Sequence, residues 1–132
     1  YHTILYCGIV KRHKCDSQLT KEALDKWHIT RDGFIKKFNN VFNQHIPDDI
    51  MKVIAEAEKV RGNIMHGKQV EEKDKRQAII DLLEHSCKMG EFVNAIGKFH
   101  PFGKLQGFKG SAASHTKETT RWILIGMGFL NK

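Results

Sequence analysis

The chain has few residues that interrupt helices and few that form covalent cross-links. Only two of its 132 residues are proline, Pro47 and Pro101, so helices can continue through the long stretches between them. Three cysteines cannot all pair within the chain, and this odd, sparse set is typical of a protein of the reducing cytoplasm. The longest apolar run, residues 122–130, is far shorter than the roughly 20 residues that span a bilayer. We therefore expect a cytoplasmic protein without a membrane segment.

The overall composition indicates one folded domain with a basic surface. Hydrophobic residues make up 40% of the chain and charged residues 28%, which is typical of a globular domain with a single core. We therefore interpret residues 1–132 as one domain, and we expect it to be part of a longer chain because it begins with tyrosine. The formal charge of +7 favours a polyanionic partner such as RNA or DNA, although a basic protein without such a partner is the alternative.

Apolar residues recur at helical spacing in the middle of the chain. Residues 34–42 carry apolar side chains three and four positions apart, which predicts an amphipathic helix that Thr30 caps. A second stripe runs from Ile50 to Ile64 behind Pro47 and two acidic residues, the arrangement expected at a helix N-terminus. Gly67 predicts the end of this helix near His66.

The remaining segments also favour helices, with two alternatives left open. Residues 71–97 predict one long helix, and Thr20 is a candidate N-cap for an earlier one. The first segment and the segment after Ser114 fit either a helix or a strand, while residues 102–114 predict a glycine- and lysine-rich loop. The predicted apolar face of the long helix consists of Ile79, Leu82, Leu83, Cys87, Val93 and Ile96. We therefore predict an all-α fold, an antiparallel bundle of four to five helices.

The segment RGNIMHGK, residues 61–68, combines an arginine and a histidine at the end of a predicted helix. The spacing alone is uninformative, because five arginines and eight histidines produce about one such pair by chance. Two residues five positions apart also differ by about 140° around a straight helix, so Arg61 and His66 point to different sides. Asn63 and His66, three positions apart, share a flank.

In this context, the segment resembles the motif of the HEPN family. These proteins are helical bundles with an Arg-x(4–6)-His motif, and many of them are RNases that need no metal. The resemblance covers roughly residues 48–97 and implies a catalytic role for Arg61 and His66, with Asn63 orienting the histidine or the phosphate. It further implies a homodimer in which two motifs face one groove, and an effector of toxin, defence or RNA-processing type controlled by an antitoxin or an upstream domain.

The chemistry of these side chains suits RNA cleavage without a cofactor or metal. A histidine exchanges protons near neutral pH, and the planar guanidinium of an arginine matches phosphate oxygens. We expect three lysines, Lys68, Lys104 and Lys109, to guide the RNA backbone by charge.

Three other interpretations remain open. Gly62 stands where family members often carry a polar residue, which favours a non-catalytic module that binds RNA, a nucleotide or a protein. In the second, Arg61 pairs with Glu58 near the helix end while His66 interacts with the helix dipole. The third concerns the two His-x-Cys pairs at residues 13–15 and 85–87. They permit a zinc site, but buried cysteines beside exposed histidines are the simpler expectation.

Overall fold

The computed structural model describes residues 1–102 and 114–132, and every regular element in these ranges is helical. The all-α prediction is confirmed. The first segment, which fitted a helix or a strand, is helical, so the described part contains more helices than the predicted four to five. They are α1 (His2–Cys7), α2 (Ser17–Asp25), α3 (Arg31–Phe42), α4 (Asp48–Met65), α5 (Glu72–Gly97) and α6 (Lys117–Gly126), with a π-helical segment Gly8–Arg12 after α1.

The chain forms two compact units, which we call the terminal unit and the central unit. The terminal unit contains Tyr1–His45 and Val93–Lys132, and the central unit is Ile46–Phe92. In the terminal unit, α1 contacts α2 and α3, and α2 contacts α6. The central unit contains α4 and most of α5. The contacts between helices that are far apart in the sequence therefore lie mainly in the terminal unit.

Aromatic side chains of α3 form the centre of the terminal unit. Phe34, Phe38 and Phe42 are fully buried, as the periodicity of residues 34–42 predicts. The rings of Phe38 and Phe42 stack with centroids 4.4 Å apart, and Phe34 stacks on Tyr1 at 4.2 Å. Such pairs add stability beyond the apolar area that they bury, so α3 anchors the other helices of this unit.

The N-terminus of α2 differs from the prediction. Its cap is Asp16, whose Oδ1 accepts a hydrogen bond from the Leu19 amide at 2.9 Å. Thr20 lies inside the helix, fully buried, and its hydroxyl donates to the Asp16 carbonyl at 2.7 Å. The prediction of Thr20 as cap was wrong because an aspartate four residues earlier is an equally good cap. Thr30 does cap α3, since its Oγ1 accepts from the Gly33 amide.

The C-terminal segment is held by a buried lysine. Lys37 of α3 lies with its Nζ 4.4 Å from the ring centre of Trp27 and 5.0 Å from that of Phe129. The same Nζ donates to the carbonyl of Gly128. Burial lowers the pKa of Lys37, and the two aromatic faces compensate part of the lost hydration. A charged side chain therefore connects α3 to the residues that follow α6.

The last helix, α6, begins after Thr116, whose Oγ1 accepts from the Thr119 amide. The side chain of Trp122 in this helix is 64% exposed. The buried positions are Thr120 and Leu124. Thr120 is buried because its hydroxyl accepts a hydrogen bond from the Asp16 amide at 2.8 Å, so a polar contact decides which side of α6 faces inward.

In the central unit, α4 and α5 run antiparallel. The Nδ1 of buried His85, in the middle of α5, donates to the carbonyl of Ile50 near the start of α4 at 2.9 Å. At the other end, Asn63 of α4 and Asp74 of α5 border the same cleft. Burial lowers the pKa of His85, while the hydrogen bond to Ile50 and the charge of Glu58 oppose this shift. His85 therefore serves as a buried neutral donor.

The predicted apolar face of α5 is only partly buried. Val93 is buried and Ile96 is half-buried, but Ile79, Leu82, Leu83 and Cys87 are exposed. The buried stripe of the helix is His85, Met89 and Val93, at spacings of four residues. Two apolar stripes compete on this helix, and the hydrogen bond of His85 favours the stripe that contains a histidine.

Candidate functional site

The RGNIMHGK segment forms the last turns and the C-cap of α4. The helix begins after Pro47 with Asp48 and Asp49 in its first turn and ends at Met65, as predicted. Gly67 has φ of +71°, a conformation that glycine adopts without steric cost. The Lys68 amide donates to the Asn63 carbonyl at 2.9 Å and the Gly67 amide donates to the Ile64 carbonyl at 3.0 Å. These two bonds define a Schellman motif, which fixes the backbone around His66.

The candidate catalytic side chains are accessible but diverge. Arg61 and His66 are exposed, as is Lys68, and Asn63 is half-buried. Since Arg61 lies in the helix and His66 is its C-cap residue, no unwinding near Gly62 brings them together within one chain. The hydrogen bonds and ion pairs found in the described ranges include no side-chain partner for Arg61 or His66, so the predicted pair with Glu58 is not among them.

Asn63 lines a surface cleft of about 350 Å³ between α4 and α5. The cleft residues are Glu56, Lys59, Val60 and Asn63 on α4, with Asp74, Gln77, Ala78 and Asp81 on α5. Neither Arg61 nor His66 belongs to this lining, so Asn63 does not share a site with His66 in one chain. Three carboxylates and one lysine border the cleft, and this charge disfavours a phosphate group.

Two predicted RNA-binding lysines, Lys104 and Lys109, lie outside the described residues. Of the predicted basic contacts, Lys68 is described, and it directly follows the glycine of the cap. The described part of the site therefore contains Arg61 and Lys68 as cations and His66 as the group that can exchange a proton.

The His-x-Cys pairs are engaged in structural contacts. The Nε2 of His13 lies 2.5 Å from the carbonyl of Val41, and His85 donates to Ile50. Cys15 is buried as expected, but in the second pair His85 is buried and Cys87 is exposed, the reverse of the expectation. In residues 1–102 and 114–132, no three side chains of metal-ligating type lie close enough to hold an ion.

Burial controls the ionisation of the first cysteine. Burial raises the pKa of Cys7 to about 11, although the charge of Lys11 acts in the opposite direction. Burial also raises the pKa of Cys15. Both thiols therefore remain protonated at neutral pH and act as small apolar groups of the core.

Helical periodicity did not predict that several large apolar side chains of the central unit are exposed. Of the large hydrophobic residues that are exposed, six belong to residues 64–83, namely Ile64, Met65, Ile79, Ile80, Leu82 and Leu83. The available signal was that α5 has apolar residues at more positions than one buried stripe can use. Apolar exposure on this scale indicates a binding surface.

Comparisons of the chain with protein-family models, with curated proteins and with solved structures give no match. In the part of the chain that the structure describes, no helix has both the length and the apolar composition of a membrane span.

Proposed function

We propose that this protein is a HEPN-like endoribonuclease that cleaves RNA without a metal, with Arg61 and His66 as its catalytic residues. The observation that carries the proposal is the state of these two side chains at the end of α4. Both are exposed and have no partner in the described ranges, while the Schellman motif holds the backbone beside them. A rigid backbone that presents an unpaired arginine and histidine suits a substrate with a phosphate.

The reaction follows from the chemistry of the two side chains. The 2′-hydroxyl of a ribose loses its proton to a base and attacks the adjacent phosphate, and the 5′-oxygen of the next nucleotide leaves with a proton. The products are a 2′,3′-cyclic phosphate and a 5′-hydroxyl. His66 exchanges a proton in this reaction, and Arg61 stabilises the additional negative charge of the phosphorane. Lys68 holds the neighbouring backbone by charge.

A second copy of the chain completes the proposed site. Arg61 and His66 of one chain lie on different sides of the end of α4, so one phosphate does not contact both. Two chains related by a two-fold axis solve this problem, because Arg61 of one copy meets His66 of the other. The proposed active form is therefore a homodimer with two equivalent sites in one groove.

The test is cleavage of RNA in the presence of EDTA by the wild-type protein and three variants. We expect His66→Ala and Arg61→Ala each to reduce the rate by about 10²-fold or more, the usual contribution of an acid–base or phosphate-binding group. His28→Ala, which removes an exposed histidine of the terminal unit, should retain the wild-type rate. Cleavage that persists in both Arg61→Ala and His66→Ala would refute the proposal.

Product analysis gives an independent check. A 2′,3′-cyclic phosphate end supports attack by the 2′-hydroxyl, whereas a 3′-hydroxyl end contradicts it. Arg61→Lys separates charge from geometry, because lysine retains the positive charge but loses the planar fork. We expect this variant to bind RNA as the wild type does and to cleave it more slowly.

The alternative is a non-catalytic RNA-binding module, and the divergence of Arg61 and His66 within one chain favours it. Binding of RNA needs only the exposed charges of Arg61 and Lys68, and these two side chains do not have to contact the same phosphate. The distinguishing result is RNA binding that weakens steeply as salt rises, with no cleavage in any preparation. In that case His66→Ala should leave the affinity unchanged while Arg61→Ala lowers it.

A further inference from the structure

One side of α5 carries large apolar side chains that are exposed. Ile79, Leu82 and Leu83 lie at the i, i+3 and i+4 positions of one side of the helix, with Ile80 adjacent. Ile79 is 60% exposed and Leu83 is 66% exposed. The opposite side of α5 provides Asp74, Gln77, Ala78 and Asp81 to the cleft with α4. The stripe, which we call the α5 stripe, is therefore available to another molecule.

The charge of α5 excludes a polyanion as the occupant of the α5 stripe. Residues 72–91 carry five acidic and four basic side chains, a formal charge of −1, whereas the whole chain is +7. RNA binds where positive charge is concentrated. An apolar surface with charges of both signs at its margins is instead typical of a contact between proteins.

We propose that the α5 stripe docks the α5 helix of a second copy of this chain in an antiparallel arrangement, with Leu83 on the two-fold axis. The sizes of the side chains on α5 fit this arrangement. The turn of α5 before Leu83 carries the bulky Ile79 and Ile80, and the turn after Leu83 carries the small Ser86 and Cys87. In an antiparallel pair, the bulky residues of each helix pack on the small residues of the other. The same contact therefore occurs twice, as in every two-fold interface.

The distribution of charge along α5 also fits this arrangement. With Leu83 on the axis, Ile79 faces the partner's Cys87, and Arg76 lies beside the partner's Glu91. Arg76 and Glu91 are both exposed, and neither takes part in the ion pairs found in the described ranges. The arrangement therefore pairs opposite charges at both ends of the contact, and a parallel arrangement would place like residues together.

This inference does not depend on the proposed RNase activity, since a non-catalytic module would expose the same stripe. Its test is the mass of the assembly by analytical ultracentrifugation for the wild type and for Leu83→Asp. We expect Leu83→Asp to halve the mass, from dimer to monomer or, if the catalytic groove also joins two chains, from tetramer to dimer. Trp122→Asp, at a similarly exposed position of α6, should leave the mass unchanged.

The arrangement of the two helices is tested by cross-linking under mild oxidation. The two Cys87 residues of the proposed dimer lie about 12 Å apart along the axis, so the wild type should form no disulfide dimer. Ile79→Cys should form one with the partner's Cys87, and the combined change of Ile79→Cys and Cys87→Ser should abolish it. A disulfide through Cys87 in the wild-type protein would instead show a parallel contact and overturn the proposal.

Circular dichroism identifies any variant that has lost its fold, and Leu83→Lys provides a second charge change at the same position. A mass that is unaffected by both Leu83 variants would refute the docking of α5. His66→Ala should slow cleavage by about 10²-fold or more without changing the mass, so failure of the RNase proposal and failure of the α5 proposal give different results.

Discussion

Gly8 of the π-helical segment lies close to the side chains of Val41 and Phe42 in α3, and this leads to a specific prediction for Gly8→Ala. A Cβ atom at this position would lie 2.5 Å from Cζ of Phe42 and 2.7 Å from Cγ1 of Val41. Favourable carbon–carbon contacts have separations of about 3.5–4.0 Å. The added methyl group therefore overlaps its neighbours by about 1 Å, and both neighbours are buried core residues.

The size of the effect follows from this overlap. Overpacking a core costs about 1–3 kcal/mol, and the rigid ring of Phe42 favours the upper part of that range. Replacing glycine by alanine in a helix recovers up to about 1 kcal/mol. We therefore expect Gly8→Ala to lower the free energy of unfolding by about 2 kcal/mol and the Tm by about 8 °C.

Urea unfolding followed by circular dichroism measures this change, with the m-value unaltered if the unfolding remains two-state. Val41→Ala in combination with Gly8→Ala should be less destabilising than the sum of the single changes, because it removes one of the two clashing groups. A free energy of unfolding within about 0.5 kcal/mol of the wild type would refute the reasoning. The control is Gly62→Ala, where no atom lies within 4 Å of the added Cβ and a gain of about 0.5–1 kcal/mol is expected.

Two further predictions concern buried titratable groups. Burial lowers the pKa of His85 from its ordinary value of 6.5, so as the pH falls the unfolded state takes up a proton before the folded state does. The contribution of His85 to the free energy of unfolding is therefore fully present above about pH 6.5 and is lost as the pH falls below it. Asparagine in His85→Asn retains a donor for the Ile50 carbonyl but does not titrate. The free energy of unfolding in urea should therefore change less between pH 7 and 5 in this variant than in the wild type, and an equal change would contradict this role of His85. With a thiol reagent at neutral pH, Cys87 should react rapidly in Leu83→Asp, in which the proposed α5 contact is lost, whereas the buried Cys7 and Cys15 should react slowly; rapid reaction of Cys7 would contradict its burial.

The helices of this protein could be predicted where local signals are strong. Thr30, Pro47 and Gly67 mark helix ends through their own backbone and side-chain chemistry, and the structure has helix ends at these residues. The predicted N-cap of α2 was wrong because two residues near the start of this helix are equally suitable as caps. Asp16 and Thr20 are both good N-caps, and the choice depends on the contact of the Asp16 amide with Thr120, more than 100 residues later.

The candidate site was predictable only in part. The position of Arg61, His66 and Lys68 at the end of α4 follows from the apolar stripe and from Gly67. The placement of Asn63 in the cleft with α5 could not be predicted from the sequence, because it depends on which side of α4 packs against another helix. Helical periodicity shows that two residues share a side but does not show what that side contacts.

The helical class, most helix boundaries and the buried aromatic row of α3 could be read from the sequence, since these depend on spacing and on local backbone preferences. Which apolar stripe of α5 is buried could be learned only from the folded protein. The stripe of His85, Met89 and Val93 is covered, and the more hydrophobic stripe of Ile79, Leu82 and Leu83 remains exposed. The physical reason is that burial depends on the whole set of packed neighbours, including one hydrogen bond from His85 to Ile50, and a pattern on a single helix contains no information about them.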